Sequence, residues 1–106
     1  MARRTTLFLP DHYYHIYNRG AHKADIFRDE NDYVFLLKLI KEKATAFDIS
    51  VIAYCLMSNH YHFLLRQNGE RTISQFMQAV FNIYSKAFNR KYELSGTFFA
   101  GAFTSV

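Results

Sequence analysis

The fold of this chain is decided by the stretch Val51-Ile52-Ala53-Tyr54-Cys55-Leu56-Met57-Ser58-Asn59-His60-Tyr61-His62-Phe63-Leu64-Leu65-Arg66. Two apolar runs flank Ser58-Asn59, and a connection this short joins antiparallel strands, since a parallel crossover needs about a dozen residues or more. We therefore predict a hairpin with strands from Ile49 to Leu56 and from His60 to Arg66. Within the second strand, His60 and His62 point to the same face, with their Cα atoms about 6.6 Å apart.

The triplet His60-Tyr61-His62 is a candidate metal site. Two imidazoles on one face of a rigid strand can converge on a single divalent ion with little loss of side-chain entropy. The alternative is a pair of solvated surface histidines, because so short a motif also arises by chance. Phe63 and Leu65 share the face of Tyr61, and this more apolar set should pack against the core. His60 and His62 should then lie on the opposite face, available for chemistry.

The composition indicates one globular domain covering residues 1–106. Half of the residues are hydrophobic, and eleven Phe and eight Tyr provide ample material for a core. No apolar run approaches the roughly 20 residues of a membrane span, and the apolar region of a secretory signal does not follow the basic segment Met1 to Thr6. Cys55 is alone, in a strand that we predict to be buried, which excludes a disulfide framework and favours the reducing cytoplasm.

The charge of the chain favours an anionic partner. The formal net charge is +4 and the sequence pI is about 9.3, which points to nucleic acid first. Arg19 and Lys23 follow the first predicted strand and could contact DNA phosphates, with a solvated loop as the alternative. Lys86, Arg90 and Lys91 end the second predicted helix, where they could contact DNA or serve only the helix dipole.

Four more elements flank the hairpin. An alternating aromatic segment predicts a strand from His12 to Tyr17, and Asp29 can cap a helix from Asn31 to Phe47 that carries an apolar stripe. Thr72-Ile73-Ser74-Gln75 matches a capping box, so a second helix should begin there and end near Tyr92. A last strand is predicted from Phe98-Phe99 and Phe103-Thr104-Ser105-Val106. The order βαββαβ predicts an α+β, ferredoxin-like fold, in which an antiparallel sheet carries both helices on one face.

The segment from Ala53 to Leu65 resembles the HUH motif of single-tyrosine transposases, in which U is a large apolar residue. It is most similar to the branch that includes the REP-associated tyrosine transposases. Three other stretches agree with this family in order and spacing: Tyr14-His15-Ile16-Tyr17-Asn18-Arg19-Gly20, Ile26-Phe27-Arg28-Asp29-Glu30-Asn31-Asp32-Tyr33, and Phe88-Asn89-Arg90-Lys91-Tyr92 leading to Ser95-Gly96-Thr97-Phe98-Phe99. The fold that the resemblance implies is the ferredoxin-like one.

The resemblance implies a DNA-cleaving enzyme. Such enzymes bind single-stranded or hairpin-forming DNA and cut one phosphodiester by attack of a tyrosine hydroxyl, which forms a 5′-phosphotyrosine and stores the bond energy for rejoining. His60 and His62 would hold Mg²⁺ or Mn²⁺, which polarises the scissile phosphate. Imidazole is an unusual ligand for such hard ions, so the resemblance implies modest affinity and a third protein ligand.

The sequence departs from the family pattern near its last strand. The nucleophilic tyrosine and a third metal ligand normally lie on a further helix, in a stretch such as Tyr-Ile-x-x-Asn-Pro or Tyr-x-x-x-Gln, which is missing before Val106. The family's Gly-Arg-aromatic is replaced by Gly101-Ala102-Phe103. We therefore expect a C-terminally incomplete HUH domain, either a fragment, a truncated member or a relic, and we assign no catalytic tyrosine. Tyr84 and Tyr92 are possible substitutes, with packing or a DNA contact as the alternatives.

Two functions of different classes remain open. The first is a transposase-type DNA nickase and rejoiner, whole or inactive. The second is a non-catalytic nucleic-acid-binding module with an RRM-like sheet, in which Tyr13 and Tyr17 would stack on unpaired bases, although the RRM signature is missing from the third strand. Apolar groups near Leu64 and a terminal strand edge also favour a homodimer, formed through the late strand or the exposed sheet face.

Overall fold

The described chain follows the order strand, helix, strand, strand, helix, strand. The structure is a computed structural model that describes residues 7–106, so the segment Met1 to Thr6 lies outside the described residues. The strands are β1 (His12–Arg19), β2 (Ile49–Met57), β3 (His60–Gln67) and β4 (Thr104–Ser105), and the helices are α1 (Glu30–Phe47) and α2 (Ile73–Lys91). A short 3₁₀ turn, Ala21–Lys23, follows β1. Within the described residues, no helix is both long and apolar enough to cross a membrane.

The sheet is antiparallel, and its strand order is β2-β3-β1-β4. β2 and β3 form the predicted hairpin, with Met57 opposite His60. β1 lies between β3 and β4 and places Tyr17 opposite His62 and Arg19 opposite His60. The predicted α+β, ferredoxin-like arrangement is therefore confirmed, and the pair His60 and His62 lies on the central strand β3, beside β1.

The core lies between one face of the sheet and the two helices. On β3, Tyr61, Phe63 and Leu65 are almost fully buried, as the alternation of this strand predicts. α1 buries Leu36, Leu39, Ile40 and Phe47, and α2 buries Ile73, Phe76, Met77, Val80, Phe81, Tyr84 and Phe88. Both helices thus cover the same face of the sheet. The face that carries the histidines is covered by neither of them.

Reciprocal hydrogen bonds begin both helices. The Asp29 carboxylate accepts from the backbone N–H of Asp32 at 3.0 Å, and the Asp32 carboxylate accepts from the backbone N–H of Asp29 at 3.3 Å. Thr72 and Gln75 form the same arrangement at the start of α2. Each capping box gives partners to two backbone groups that a first helical turn leaves unpaired. Hence α1 begins at Glu30, one residue before the predicted start.

The prediction that Cys55 is buried is wrong. Cys55 is exposed, because β2 is an edge strand and Cys55 lies opposite His62, on the face that the helices leave open. The pairing of β2 with β3 is also irregular between Val51 and Ala53, and Ile52, which lies between them, is 50% exposed. An apolar run at a sheet edge is therefore only partly covered, although its sequence is that of a buried strand.

The last strand is shorter than predicted. Only Thr104–Ser105 pairs with β1 as a strand, and Phe99 makes an isolated bridge to Gly20. Phe98, Phe99 and Phe103 are instead half-buried rings that pack against the edge of the core. The aromatic rings reach the core from segments of irregular backbone. An aromatic-rich sequence therefore did not require a strand here.

Candidate nucleic-acid interface and metal centre

A cavity of about 780 Å³ opens at the end of the sheet where β1 leads into the 3₁₀ turn. Its wall is formed by the side chains of Tyr17, Asn18, Arg19, Lys23, Asn59, His60, His62 and Thr104, and its rim by residues 100–102. Within the described chain, this lining contains two permanent cations and no carboxylate. The cavity is therefore suited to an anionic group that lies against the two motif histidines.

Backbone hydrogen bonds hold the loop after β1 against the turn between β2 and β3. The backbone N–H of Gly20 donates to the carbonyl oxygen of Asn59 at 3.0 Å. The backbone N–H of Ala21 donates to the carbonyl oxygen of Phe98, also at 3.0 Å. Gly20 has no room for a side chain, because a Cβ there would lie 2.2 Å from the carbonyl oxygen of Ala24. The segment from Arg19, at the end of β1, to Lys23 is thus fixed beside the histidine strand.

Asn59 determines which nitrogen of His60 carries the hydrogen. Nδ1 of His60 lies 2.8 Å from Oδ1 of Asn59, and Nδ2 of the same amide donates to the carbonyl oxygen of Lys23 at 3.4 Å. Because the amide oxygen can only accept, Nδ1 of His60 must donate. The lone pair of Nε2 on His60 is therefore available to a metal ion, and Asn59 orients the imidazole as outer partners of metal ligands do.

His62 is held by two side chains of β1. Its Nδ1 lies 3.0 Å from Nε2 of His15, and the ring of Tyr17 stacks beside it with a centroid distance of 5.4 Å. Burial lowers the pKa of His62, and the neighbouring His15 and His60 lower it further, since each of these effects disfavours the imidazolium. These effects favour the neutral imidazole, which is the form that binds metal ions.

The two motif histidines could share a divalent ion through their Nε2 atoms, since each Nδ1 atom has a hydrogen-bond partner. The ring centroids of His60 and His62 are 5.4 Å apart, with an interplanar angle of 88°. Rings that share one ion through nitrogens about 2.1 Å away have centroids roughly 5 Å apart. Among residues 7–106, no group of three His, Cys, Asp or Glu side chains is placed to hold a metal. A divalent ion at this place would therefore take two imidazoles from the described residues, and water or phosphate oxygens would complete its coordination.

The five predicted DNA-binding residues fall into two groups. Arg19 and Lys23 line the cavity together with the histidines. Lys86, Arg90 and Lys91 lie on α2, which packs against the other face of the sheet. Lys86 and Arg90 are exposed there. The structure thus brings only the first group together with the candidate metal ligands.

The ammonium group of Lys91 is already paired with two carboxylates. Its Nζ lies 2.9 Å from Oδ1 of Asp32 and 3.0 Å from Oδ2 of Asp29, and these two partners raise the pKa of Lys91. The hydroxyl of Tyr92 donates to Asp32 at 2.6 Å. Lys91 and Tyr92 therefore tie the end of α2 to the start of α1, a structural role that does not depend on DNA.

Neither candidate substitute for the catalytic tyrosine lines the cavity. Tyr84 is 1% exposed and its hydroxyl donates to the carbonyl oxygen of Ile26 at 2.5 Å, and burial is the main cause that raises its pKa. Tyr92 donates to Asp32 at the helix joint. In the described part of the chain, Tyr17 is the tyrosine that lines the cavity.

Sequence reasoning did not single out Asn18 and Thr104 for the site. Nδ2 of Asn18 donates to the carbonyl oxygen of Gly101 at 3.0 Å and thereby holds the cavity rim. Thr104 enters the site because β4 pairs with β1 and places it opposite Tyr17. The pairing of a two-residue strand leaves no pattern in a sequence, so no signal could have identified Thr104.

Comparison with solved structures agrees with the fold. Structures with a similar fold include a protein from Deinococcus radiodurans R1 that is assigned as a transposase, with a TM-score of 0.71 and 14% identity over 99% of this chain and 85% of that chain. Another is a REP-associated tyrosine transposase bound to a REP hairpin, with a TM-score of 0.74 and 12% identity over 100% of this chain and 61% of that chain. These identities show a shared fold alone. No curated protein gives a significant match.

The family assignment rests on the sequence itself. The model of the family described as IS200-like transposases matches residues 9–105, which is nearly the whole of the chain. The match includes the histidine motif, the loop after β1 and the rim of the cavity. As the HUH resemblance predicts, this chain belongs to the IS200-like transposase family.

Proposed function

We propose that this transposase-family chain binds single-stranded or hairpin DNA in the cavity beside His60 and His62, within the cytoplasm. The observation that carries the proposal is the placement of Arg19 and Lys23 in the same cavity as the two histidines. Two cations that flank a candidate metal centre would position a phosphodiester there, since DNA binding depends mainly on phosphate contacts. The similarity to a transposase bound to a REP hairpin supports DNA as the partner.

The polar and aromatic side chains of the cavity can contact the phosphate and the base of a nucleotide. The guanidinium of Arg19 can bind phosphate oxygens in a bidentate manner, and Lys23 acts as a point charge. Tyr17 presents a ring on which an unpaired base can stack, and stacking tolerates any base. Asn18 keeps the rim in place through its bond to Gly101. This distribution suits a strand that enters single-stranded or leaves a hairpin stem.

We propose Mg²⁺ or Mn²⁺ as the cofactor, held by Nε2 of His60 and Nε2 of His62. When bound, such an ion polarises the scissile phosphate and supports the leaving oxygen. Asn59 and His15 keep the two imidazoles in position, and the cations hold the DNA backbone beside them. The family chemistry that these contacts would serve is strand cleavage and rejoining through a 5′-phosphotyrosine. Neither Tyr84 nor Tyr92 is assigned as the nucleophile, because both hydroxyls donate within the helix layer.

The decisive experiment compares two double variants that remove the same charge. Arg19→Gln/Lys23→Gln removes two cations from the cavity, and Lys38→Gln/Lys41→Gln removes two exposed cations from α1. Binding to a labelled hairpin with a single-stranded flank is measured by fluorescence anisotropy as a function of salt concentration. Loss of two phosphate contacts should lower the slope of log K against log salt by about 1.4 to 1.8.

The control variant should keep nearly the wild-type slope, because its cations lie on the other side of the molecule. Equal slopes for the two double variants would contradict the proposal, since the cavity would then contribute only general charge. Binding of the wild type that does not depend on salt would contradict it as well.

A further inference from the structure

We propose that His15 is a positioning residue that accepts a hydrogen bond from Nδ1 of His62 and so keeps Nε2 of His62 free to bind the metal ion. The inference rests on the metal site of the proposed function. It concerns a residue outside the HUH motif, on a different strand. His15 does not itself line the cavity, and its Nε2 is engaged with His62.

The strands fix the two rings against each other. Nε2 of His15 lies 3.0 Å from Nδ1 of His62, and the rings are nearly parallel, with an interplanar angle of 17°. The backbone of His15 is held by the residue that follows β4, since the N–H of Val106 donates to the carbonyl oxygen of His15 at 2.9 Å. The ring of Tyr17 contacts both imidazoles, with its centroid 5.4 Å from that of His62 and 5.2 Å from that of His15, and it limits rotation of the His62 ring.

A hydrogen bond between two neutral imidazoles has one donor and one acceptor. If His15 donates, Nδ1 of His62 accepts, Nε2 of His62 carries the hydrogen, and no lone pair points towards a shared ion. If His62 donates, its Nε2 has the lone pair. Asn59 already forces the second state on His60, whose Nδ1 must donate. Two histidines can therefore act together as ligands only when His15 accepts.

The arrangement also strengthens itself when a cation binds. An ion on Nε2 would withdraw electron density from the imidazole and make its Nδ1–H a better donor, so the bond to His15 would tighten with the metal bound. His15 thus orients the imidazole of His62 through its Nδ1, as Asn59 orients the imidazole of His60. One orienting residue comes from the turn before β3 and the other from the neighbouring strand β1.

The test uses two substitutions at one position and a histidine control. His15→Gln keeps an acceptor that reaches the place of Nε2, whereas His15→Leu keeps the bulk and removes the acceptor. His12→Leu alters an exposed histidine on the same strand that bonds to Pro10. Long-range ¹H–¹⁵N correlation spectra of the metal-free full chain at pH 8 report the tautomer of His62 directly. Calorimetric titration with Mn²⁺ then reports its affinity.

We expect His62 to be the Nδ1–H tautomer in wild type and in His15→Gln, and to lose this preference in His15→Leu. The affinity for Mn²⁺ should fall by about 10- to 100-fold in His15→Leu, as loss of an outer partner does, and should be restored in His15→Gln. His12→Leu should match the wild type.

An Nε2–H tautomer of His62 in the wild type would overturn the inference. So would a His15→Leu variant that folds and binds Mn²⁺ as tightly as the wild type, or a His15→Gln variant that is as weak as His15→Leu. If His15→Leu fails to fold, two measurements still test the inference. They are the tautomer of His62 in the wild type and the affinity of His15→Gln for Mn²⁺ relative to the wild type. Absence of any Mn²⁺ binding by the wild type would refute the proposed metal site, whereas the tautomer spectrum tests His15 separately.

Discussion

Replacement of Asp32 by Asn removes the charge on which the joint between the two helices depends. Asp32 is 5% exposed. Its Oδ2 accepts from the backbone N–H groups of Arg28 and Asp29 and from the hydroxyl of Tyr92, and its Oδ1 accepts from Lys91. An amide has only one acceptor and would turn its NH₂ group towards the ammonium of Lys91. The substitution therefore breaks the ion pair and removes the charge assistance from the other three hydrogen bonds.

The two backbone donors set the magnitude of the effect. A hydrogen bond to a charged group contributes about 1.5 to 3 kcal/mol and a neutral one about 1 kcal/mol, so roughly 1 kcal/mol is lost at each of them. The free energy of unfolding should therefore fall by about 2 kcal/mol in Asp32→Asn. The bonds from Lys91 and Tyr92 add little to this figure, because both donors are partly exposed and solvent screens the charge there.

The pH dependence follows from the pKa of Asp32. Burial raises this pKa, but the hydrogen bonds from Tyr92, Lys91 and the backbone outweigh burial and leave it below the ordinary value of 3.8. A carboxyl whose pKa is lowered by folding contributes stability above the unfolded pKa and loses it as the pH falls through the folded pKa. The difference between wild type and Asp32→Asn should thus be complete above about pH 5 and shrink below about pH 4.

Urea denaturation followed by circular dichroism measures this difference at a series of pH values. Glu30→Gln is the matched control, because it removes the same charge from an exposed position in the first turn of α1. The control should lose only its interaction with the helix dipole. Equal losses in the two variants, or a loss in Asp32→Asn that does not change with pH, would refute the reasoning.

Three further outcomes are expected. Titration with Mn²⁺ should show weaker binding by His60→Ala than by the wild type, and equal binding would exclude His60 as a ligand. In a denaturing-gel assay with labelled oligonucleotide, Tyr84→Phe and Tyr92→Phe should leave the yield of any covalent protein–DNA adduct unchanged, whereas a band that either variant abolishes would make that tyrosine the nucleophile. Sedimentation equilibrium at micromolar concentration should detect the homodimer that the strand edges and the open face favour, and a 12.5 kDa species at all concentrations would contradict it.

The sequence predicted most of the fold because local and periodic signals agree there. The capping boxes at Asp29 and Thr72 fix where the helices begin, and a two-residue connection forces β2 and β3 to pair. The alternation of β3 then assigns Tyr61 to the core and His62 to the open face. These are nearest-neighbour properties of the chain, so one sequence was sufficient.

Strand order and side-chain pairing across strands are the properties that the sequence could not supply. Cys55 was predicted to be buried because an apolar run does not reveal whether its strand lies at the edge or in the centre of a sheet. The contact between His15 and His62 depends on the register of β1 against β3, over 47 residues of sequence separation. Likewise, the ion pairs of Lys91 with Asp29 and Asp32 require the packing of two helices, and a helix-end lysine alone does not predict them.

The most direct test of the central claim is photocrosslinking of DNA to the cavity rim. A benzophenone amino acid replaces exposed Ala102, which lines the cavity, or exposed Glu42 on α1, in otherwise identical proteins. Each protein is irradiated with a labelled DNA hairpin in the presence of Mn²⁺, and the crosslinked species are resolved on a denaturing gel. We predict a strong crosslink from position 102 and little from position 42. A crosslink of equal or greater yield from position 42 would contradict the placement of DNA beside His60 and His62.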